Sequence, residues 1–437
     1  MFAVHQDGTR RGVALTAMLI VLALLLTLPA FAGKDKNKKG KNAKPEPKPN
    51  ILERLDYSKI VWPNPPEIAR IKYLTLFYGE KYKSKAQQKK VGWMERLSGV
   101  TAGDIPDREK LRFQLVTPYG VAVDSKGRIY VADSKVRVVF ITNLENGEVE
   151  LIKHGVHARF TWPTGLALDD TDRLFLADPG MKRVLVFNKE HKVEATISQG
   201  IVSPGGIAVD NENRLLYVPD AELDQVLVFD ADPPFKLLRK IGTGGDKEHR
   251  QTAPGDFSRP SNVAVDKEGN VYVSDTWNDR IEIFDADGTF IRTWGKAGDG
   301  PGYLARPKGI AIDSDGHVWV ADTVQDRVQV FTPEGRLLIY LGGHGLLPGQ
   351  FRSLTGLAID NQNRVITSEQ FPGRVQVFRY VTDAEAAAEK ARREADEQKK
   401  QAEKKSAGSA TPAAGDVPAA PSGSGAPAAQ ATAAAPK

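Results

Sequence analysis

One segment recurs six times along this chain. GVAVDSKGRIYVAD at 120–133 returns as GLALDDTDRLFLAD (165–178), GIAVDNENRLLYVPD (206–220), NVAVDKEGNVYVSD (262–275), GIAIDSDGHVWVAD (309–322) and GLAIDNQNRVITSE (356–369). The marker acids Asp124, Asp169, Asp210, Asp266, Asp313 and Asp360 are 45, 41, 56, 47 and 47 residues apart. Each copy ends in a third apolar run (RVVF, RVLVF, QVLVF, RIEIF, RVQVF, RVQVF), and five copies add a fourth, as in TFIRTWG at 289–295.

Alternating apolar residues separated by Asx/Gly turns make each copy a four-stranded antiparallel meander. Such a sheet cannot bury both of its faces alone. Six arranged radially can, and the repeat length matches one propeller blade. Ala122, Ala167, Ala208, Ala264, Ala311 and Ala358 share one place in the first strand, where inner strands crowd round the axis. The fold class expected is therefore all-β: a six-bladed β-propeller of four-stranded antiparallel blades over 110–380. A stacked solenoid is the runner-up, but it leaves the sixth copy unexplained. After Phe378 that copy has only Arg379-Tyr380-Val381 before a charged segment, which would leave an open edge. RIKYLTLFY (70–78) is a spare strand of the right length, and it is expected to pair with Arg374–Arg379 and close the ring.

These residues resemble a family, the NHL repeat, which forms six-bladed propellers. Residues 260–295, PSNVAVDKEGNVYVSDTWNDRIEIFDADGTFIRTWG, carry its pattern: Pro, a small turn, A-V-D, Y-V-x-D, N-x-R and a V/I-x-V/I-F strand. The overall layout is similar to that of exported bacterial NHL-repeat proteins. The resemblance is specific for fold and says little about function, because such propellers include RNA binders, enzymes, sensors and scaffolds.

The ends read as addresses and tethers. Arg10-Arg11, the apolar run 13–28 and the A-x-A pattern at Ala30–Ala32 are the three parts of a secretory signal, so 1–32 is expected to be a cleaved signal peptide. A retained anchor is the alternative, since 13–32 gives 20 uncharged residues and about 20 span a bilayer. The body is then expected outside the cytoplasmic membrane, periplasmic or extracellular. Residues 33–50 form a basic linker, and 51–109 an N-terminal extension with the closing strand and a short helix near 83–98. Residues 381–405 form a charged helix with Glu389→Arg393 and Asp396→Lys400 pairs and no apolar stripe. Residues 406–437 are a disordered Ala/Pro/Gly/Ser tail. The chain has no Cys, which excludes disulfides, zinc–thiolate sites and thiol catalysis. Its net charge of +5 equals that of residues 34–48, so the propeller is nearly neutral and no nucleic-acid partner is expected.

Candidate chemistry is sparse. The six marker acids precede turns such as Ser125-Lys126-Gly127, where Asp accepts hydrogen bonds from turn amides. A second acid and a later Arg recur as Asp133/Arg137, Asp178/Arg183, Asp275/Arg280, Asp322/Arg327 and Glu369/Arg374, with Gln225 beside Asp220 in the third copy. A guanidinium forked onto a carboxylate would bridge strands there. His154, His157, His191, His249, His317 and His344 follow no common repeat position. Amidating-lyase relatives of the resembled fold hold zinc with histidines near the third strand. Here that neighbourhood reads Lys182, Asp224, Asp279 and Asp326, so no catalytic set, metal or cofactor is expected. Gly242-Thr243-Gly244-Gly245-Asp246-Lys247 lacks P-loop spacing and reads as a lengthened inter-blade loop.

The inter-blade loops carry the one binding expectation. In an up-and-down meander the second-to-third-strand turns and the loops into the next blade share one face. On that face fall Trp162, Arg259, Trp277, Arg306 and Phe371, with Met181 and Leu223. The opposite turns are nearly all Asp, Lys, Glu, Asn and Gly. Large apolar and Arg side chains on one loop face suit a contact surface. The function expected is a non-catalytic, monomeric scaffold that binds a protein or cell-envelope polymer, with membrane contact only if the N-terminal segment is retained. The alternative is a metal-assisted lyase or hydrolase with its site at the central channel.

Overall fold

The computed structural model describes residues 55–79, 114–244 and 253–408, with side chains to 405. The expected signal, basic linker, 83–98 helix and tail beyond 408 lie outside the described residues. Blade one is Pro118–Val123, Ile129–Asp133, Val138–Thr142 and Val149–Lys153, hydrogen-bonded in chain order. Four more blades repeat this order, with first strands at Leu166–Leu168, Ala208–Asp210, Pro260–Val265 and Pro307–Ile312. The sixth begins at Leu354–Ile359. All described blades are antiparallel, so the six-bladed propeller read from the repeats is the fold.

The first strands form the inner ring, and their approach is tight. Gly120 N–H donates to Thr164 O (2.9 Å), and Gly206 N–H to Ser261 O (2.8 Å), each bond crossing between blades. A Cβ on Gly165 would lie 2.2 Å from Gly205 O, so only glycine lets the neighbouring backbone come this close. The crowding expected at the alanines is thus most severe two residues earlier. Second strands supply the core: Ile129–Asp133, Leu174–Asp178 and Val318–Asp322 are buried throughout.

Blade six is closed by the N-terminal extension. Strand β2, Ile71–Phe77, pairs antiparallel with Arg374–Tyr380, in the register Ile71↔Tyr380, Tyr73↔Phe378 and Phe77↔Val375. Ile71, Tyr73 and Phe77 alternate inward and are buried, while Lys72 and Leu74 face out. Tyr73 meets Phe378 edge-on at 5.1 Å. A fifth strand, β1 (Val61–Trp62), which the sequence did not suggest, pairs with β2 and sets Trp62 against Phe378.

Helix α1, Asp383–Gly408, follows directly. Thr382 and Glu385 form a reciprocal cap, Glu385 N–H donating to Thr382 Oγ1 (3.2 Å) and Thr382 N–H to Glu385 Oε2 (2.9 Å). Glu389 pairs with Arg393 (3.0 Å), and Arg393 Nη1 reaches Pro66 O (3.0 Å). Almost every side chain of the helix is exposed, as its even polarity demands. It is not long and apolar enough to cross a membrane, and neither is any other helix among the described residues.

Candidate functional site: the loop face and the channel mouth

Two acids per blade build the two ends of the propeller. The marker acids hold the lower turns as expected. Asp124 Oδ1 accepts from Lys126 N–H (3.0 Å) and Arg128 N–H (2.8 Å), and its Oδ2 accepts from Arg128 Nε (2.7 Å). Asp169, Asp210, Asp266, Asp313 and Asp360 repeat this pattern. His317 is absorbed into the same arrangement: its Nδ1 lies 3.1 Å from Asp313 Oδ2, and this bond, outweighing burial, raises its pKa.

The second acids, Asp133, Asp178, Asp220, Asp275, Asp322 and Glu369, have no exposed surface. They staple the upper loops. Asp133 Oδ2 accepts from Val116 and Thr117 N–H, at 2.6 and 2.9 Å, while its Oδ1 accepts from Lys135 and Val136 N–H, both at 3.0 Å. Asp220 and Asp322 do the same for their own loops. The Arg fork expected in five blades is present in two. Arg280 Nε bonds Asp275 (2.8 Å), and Arg374 Nε bonds Glu369 (2.7 Å). Elsewhere backbone amides fill the carboxylate. Arg183 instead bonds Arg159 O, and Arg327 lies over the Tyr340 ring at 5.3 Å.

Arg137 is one residue out of line with the other arginines. It occupies the left-handed position (φ 59°) that also takes Lys182, Asp224, Asp279 and Asp326, at φ 48–54°. The polar identities beside the third strand therefore answer to backbone conformation, which short polar side chains tolerate best. Asp224 and Asp326 then accept the amides of Arg259 (2.7 Å) and Ser353 (2.8 Å), both also left-handed.

On this scaffold Arg259, Trp277 and Arg306 come together. Both guanidiniums face the indole, with Cζ 5.2 Å (Arg259) and 5.5 Å (Arg306) from the ring. Arg306 Nη1 is fixed by Asp279 Oδ1 (2.8 Å), and Arg259 lies 3.6 Å from Glu222. Trp277 stays 48% exposed despite these neighbours, so the stack presents an aromatic surface edged by cations. Phe371, 50% exposed, forms a second pair with Arg352, whose Cζ is 4.5 Å from the ring. The sequence missed Arg352 because it stands one residue before the place taken by Arg259 and Arg306. Trp162, 56% exposed, shares the face, and its amide is held by buried Asp178 (2.9 Å).

An axial channel lies inside the ring of first strands. It encloses about 260 Å³ and is lined by the first strands of all six blades, mostly Val, Ile, Leu, Ala and Gly with Tyr119, Asn262 and Thr355. That lining offers neither imidazole nor carboxylate. Among the described residues no three His, Asp or Glu side chains are placed to hold a metal. A metal does not fit the donor set of this channel.

Comparisons with known proteins agree with the fold. The NHL repeat family matches residues 257–284, and the SMP-30/gluconolactonase/LRE-like region matches 271–340. A curated relative, peptidyl-glycine alpha-amidating monooxygenase B of Xenopus laevis, is 35% identical over 98 residues, which are 21% of this chain. The chain spans about one tenth of that relative's length. Among solved structures, virginiamycin B lyase from Staphylococcus aureus is 13% identical, with 61% of this chain and 96% of that one covered, at a TM-score of 0.45. A gluconolactonase from Xanthomonas campestris is 19% identical, with 61% and 87% covered, at a TM-score of 0.47. These distant likenesses carry no argument about activity. The repeats, the six blades and the family matches define the class: this chain is an NHL-repeat six-bladed β-propeller.

Proposed function

We propose that this propeller is an exported, non-catalytic binding scaffold whose upper loop face docks a protein or envelope polymer. The observation that carries the reading is the Arg259–Trp277–Arg306 cluster, a half-exposed indole with two guanidiniums over its ring. Trp and Arg dominate binding energy wherever interfaces have been dissected, and an aromatic presented rigidly loses little entropy on contact. The N-terminal signal pattern supports action outside the cytoplasmic membrane.

The test is capture from envelope fractions with the full chain, followed by affinity measurement on the captured partner. Trp277→Ala with Arg306→Ala should weaken binding at least about tenfold, equivalent to ~1.4 kcal/mol. Lys126→Ala with Lys267→Ala, on the opposite turns, should leave it unchanged. Equal responses from the two pairs, or capture by the segment beyond Asp383 alone, would refute the reading.

A further inference from the structure

The ring of residues at the upper mouth of the channel breaks the propeller's symmetry at one point. Each first strand enters after a loop residue, Pro in five blades and Leu354 in the sixth, and the next residue takes the upper end of the strand, where Tyr119 and Thr355 line the channel. In blade order these are Tyr119, Thr164, Gly205, Ser261, Lys308 and Thr355. Blade architecture does not require a cation there, because five blades are built with neutral or absent side chains.

Lys308 is half-buried, and its Nζ lies over the Tyr119 ring, 5.8 Å from the centroid. Among the described residues no carboxylate pairs with it. The nearby hydroxyls serve the packing between blades instead. Thr355 Oγ1 bonds Pro118 O (3.4 Å), and Thr276 Oγ1 bonds both Ser261 Oγ (2.6 Å) and Pro307 O (2.7 Å). Arg306, on the rim, is already committed to Asp279. An aromatic face attracts an ammonium but does not neutralise it. The surrounding protein strips water from both groups, pushing the Lys308 amine below and the Tyr119 phenol above their ordinary ranges.

A lone amine is thus set over Tyr119, an aromatic ring that itself lines an aliphatic cavity of about 260 Å³. A single positive charge matches a monoanion. The Val, Ile and Leu wall below it matches an apolar body. We propose that the channel mouth is a binding site for a small apolar carboxylic acid, its carboxylate paired with Lys308 Nζ and its body lying against Tyr119 and the aliphatic wall. The site is separate from the docking reading above, which uses the rim stack.

Benzoate is the probe, with benzamide as its uncharged counterpart, titrated calorimetrically against the full chain at neutral pH. Benzoate should bind at least about tenfold more tightly than benzamide. Lys308→Met should remove that preference while the melting temperature holds, and Lys308→Arg should keep it. As a second reading, the ¹³C resonance of reductively methylated Lys308 should titrate at higher pH when benzoate is present. Trp277→Ala with Arg306→Ala should leave benzoate affinity unchanged, so failure here and failure of the docking face are told apart. Equal affinity for the two probes, no saturable benzoate binding, or full benzoate affinity in Lys308→Met overturns the proposal.

Discussion

The loops at the two ends of the blades are built by the same device and expose opposite chemistry. At the lower end, Asp124 and its five equivalents hold short turns whose exposed side chains are Lys, Asp, Glu and Asn. At the upper end, Asp133 and its equivalents hold longer loops. Every exposed large apolar side chain on a described blade loop lies there, Trp162, Met181, Trp277, Val324, Leu347 and Phe371 among them. Turn chemistry demands nothing apolar at either end. A large exposed apolar patch costs solubility without adding core, and it is this difference that motivates the proposed docking face.

The comparison presupposes a rigid closed ring, and the largest effect should come from opening it. Deleting 51–80 removes β1 and β2 with buried Ile71, Tyr73 and Phe77. Thermal unfolding should report a loss of several kcal/mol, the scale of multiple core contacts. An unchanged melting temperature would mean the N-terminal strand is dispensable.

The two ends should also answer pH in opposite senses. Beneath the upper face, Glu282 is buried, and that burial pushes its pKa up to about 7 from the usual 4.5, against hydrogen bonding from Gly255 N–H and the charge of Arg280. A carboxyl raised in the folded state binds its proton more tightly than in the unfolded chain. Its penalty is absent below pH 4.5 and grows as pH rises to about 7. Gln329 and Gln376 hold the matching place in the next two blades and accept the same loop amides, from Gly302 and Gly349. Glu282→Gln should therefore add about 1–3 kcal/mol at pH 8 and almost nothing at pH 4. Equal gains at both pH values would contradict the assignment.

At the lower end the sign reverses. Asp232 is held down to about 2, first by the hydrogen bond from Arg214. Asp169 is also lowered: burial opposes, but hydrogen bonds from Thr171 and Arg173 prevail. Their contribution is present above the ordinary 3.8 and is lost as pH falls through the lowered values. Asp169→Asn should lower stability by a constant amount above pH 5 and by progressively less in acid, so that the acid limb of a stability–pH curve flattens. A change confined to the upper limb would invert the comparison.

The smallest effect belongs to the Arg259–Trp277–Arg306 cluster. Trp277→Ala removes a half-exposed ring and two cation–π contacts, each worth about 0.5–1 kcal/mol at exposed sites. Chemical denaturation should show a loss of about 1–2 kcal/mol. A loss comparable to that of the strand deletion would make Trp277 a structural residue.

Periodicity made the blades legible, because a period-2 pattern repeated six times admits few solutions. The closing strand was legible by subtraction: five copies had four strands, one had three, and RIKYLTLFY was left over. The loop face followed from strand direction alone. What escaped was set by contacts that no spacing encodes. Arg137 looked like a strand arginine until its left-handed backbone moved it one place. The carboxylates of Asp178 and Asp322 found loop amides before any guanidinium. No sequence signal singled out Lys308, because only the closed ring sets it over Tyr119, a residue 189 positions away in the chain.

Hydrogen exchange of the full chain, with and without the captured partner, tests the central claim most directly. Protection is expected at the upper loops: 159–163, 258–260, 276–279, 305–307 and 352–353. The lower turns at 124–128, 169–173, 266–270 and 313–317 should exchange as in the free protein. Protection of the lower turns, or of α1 alone with the upper loops unchanged, would contradict the account.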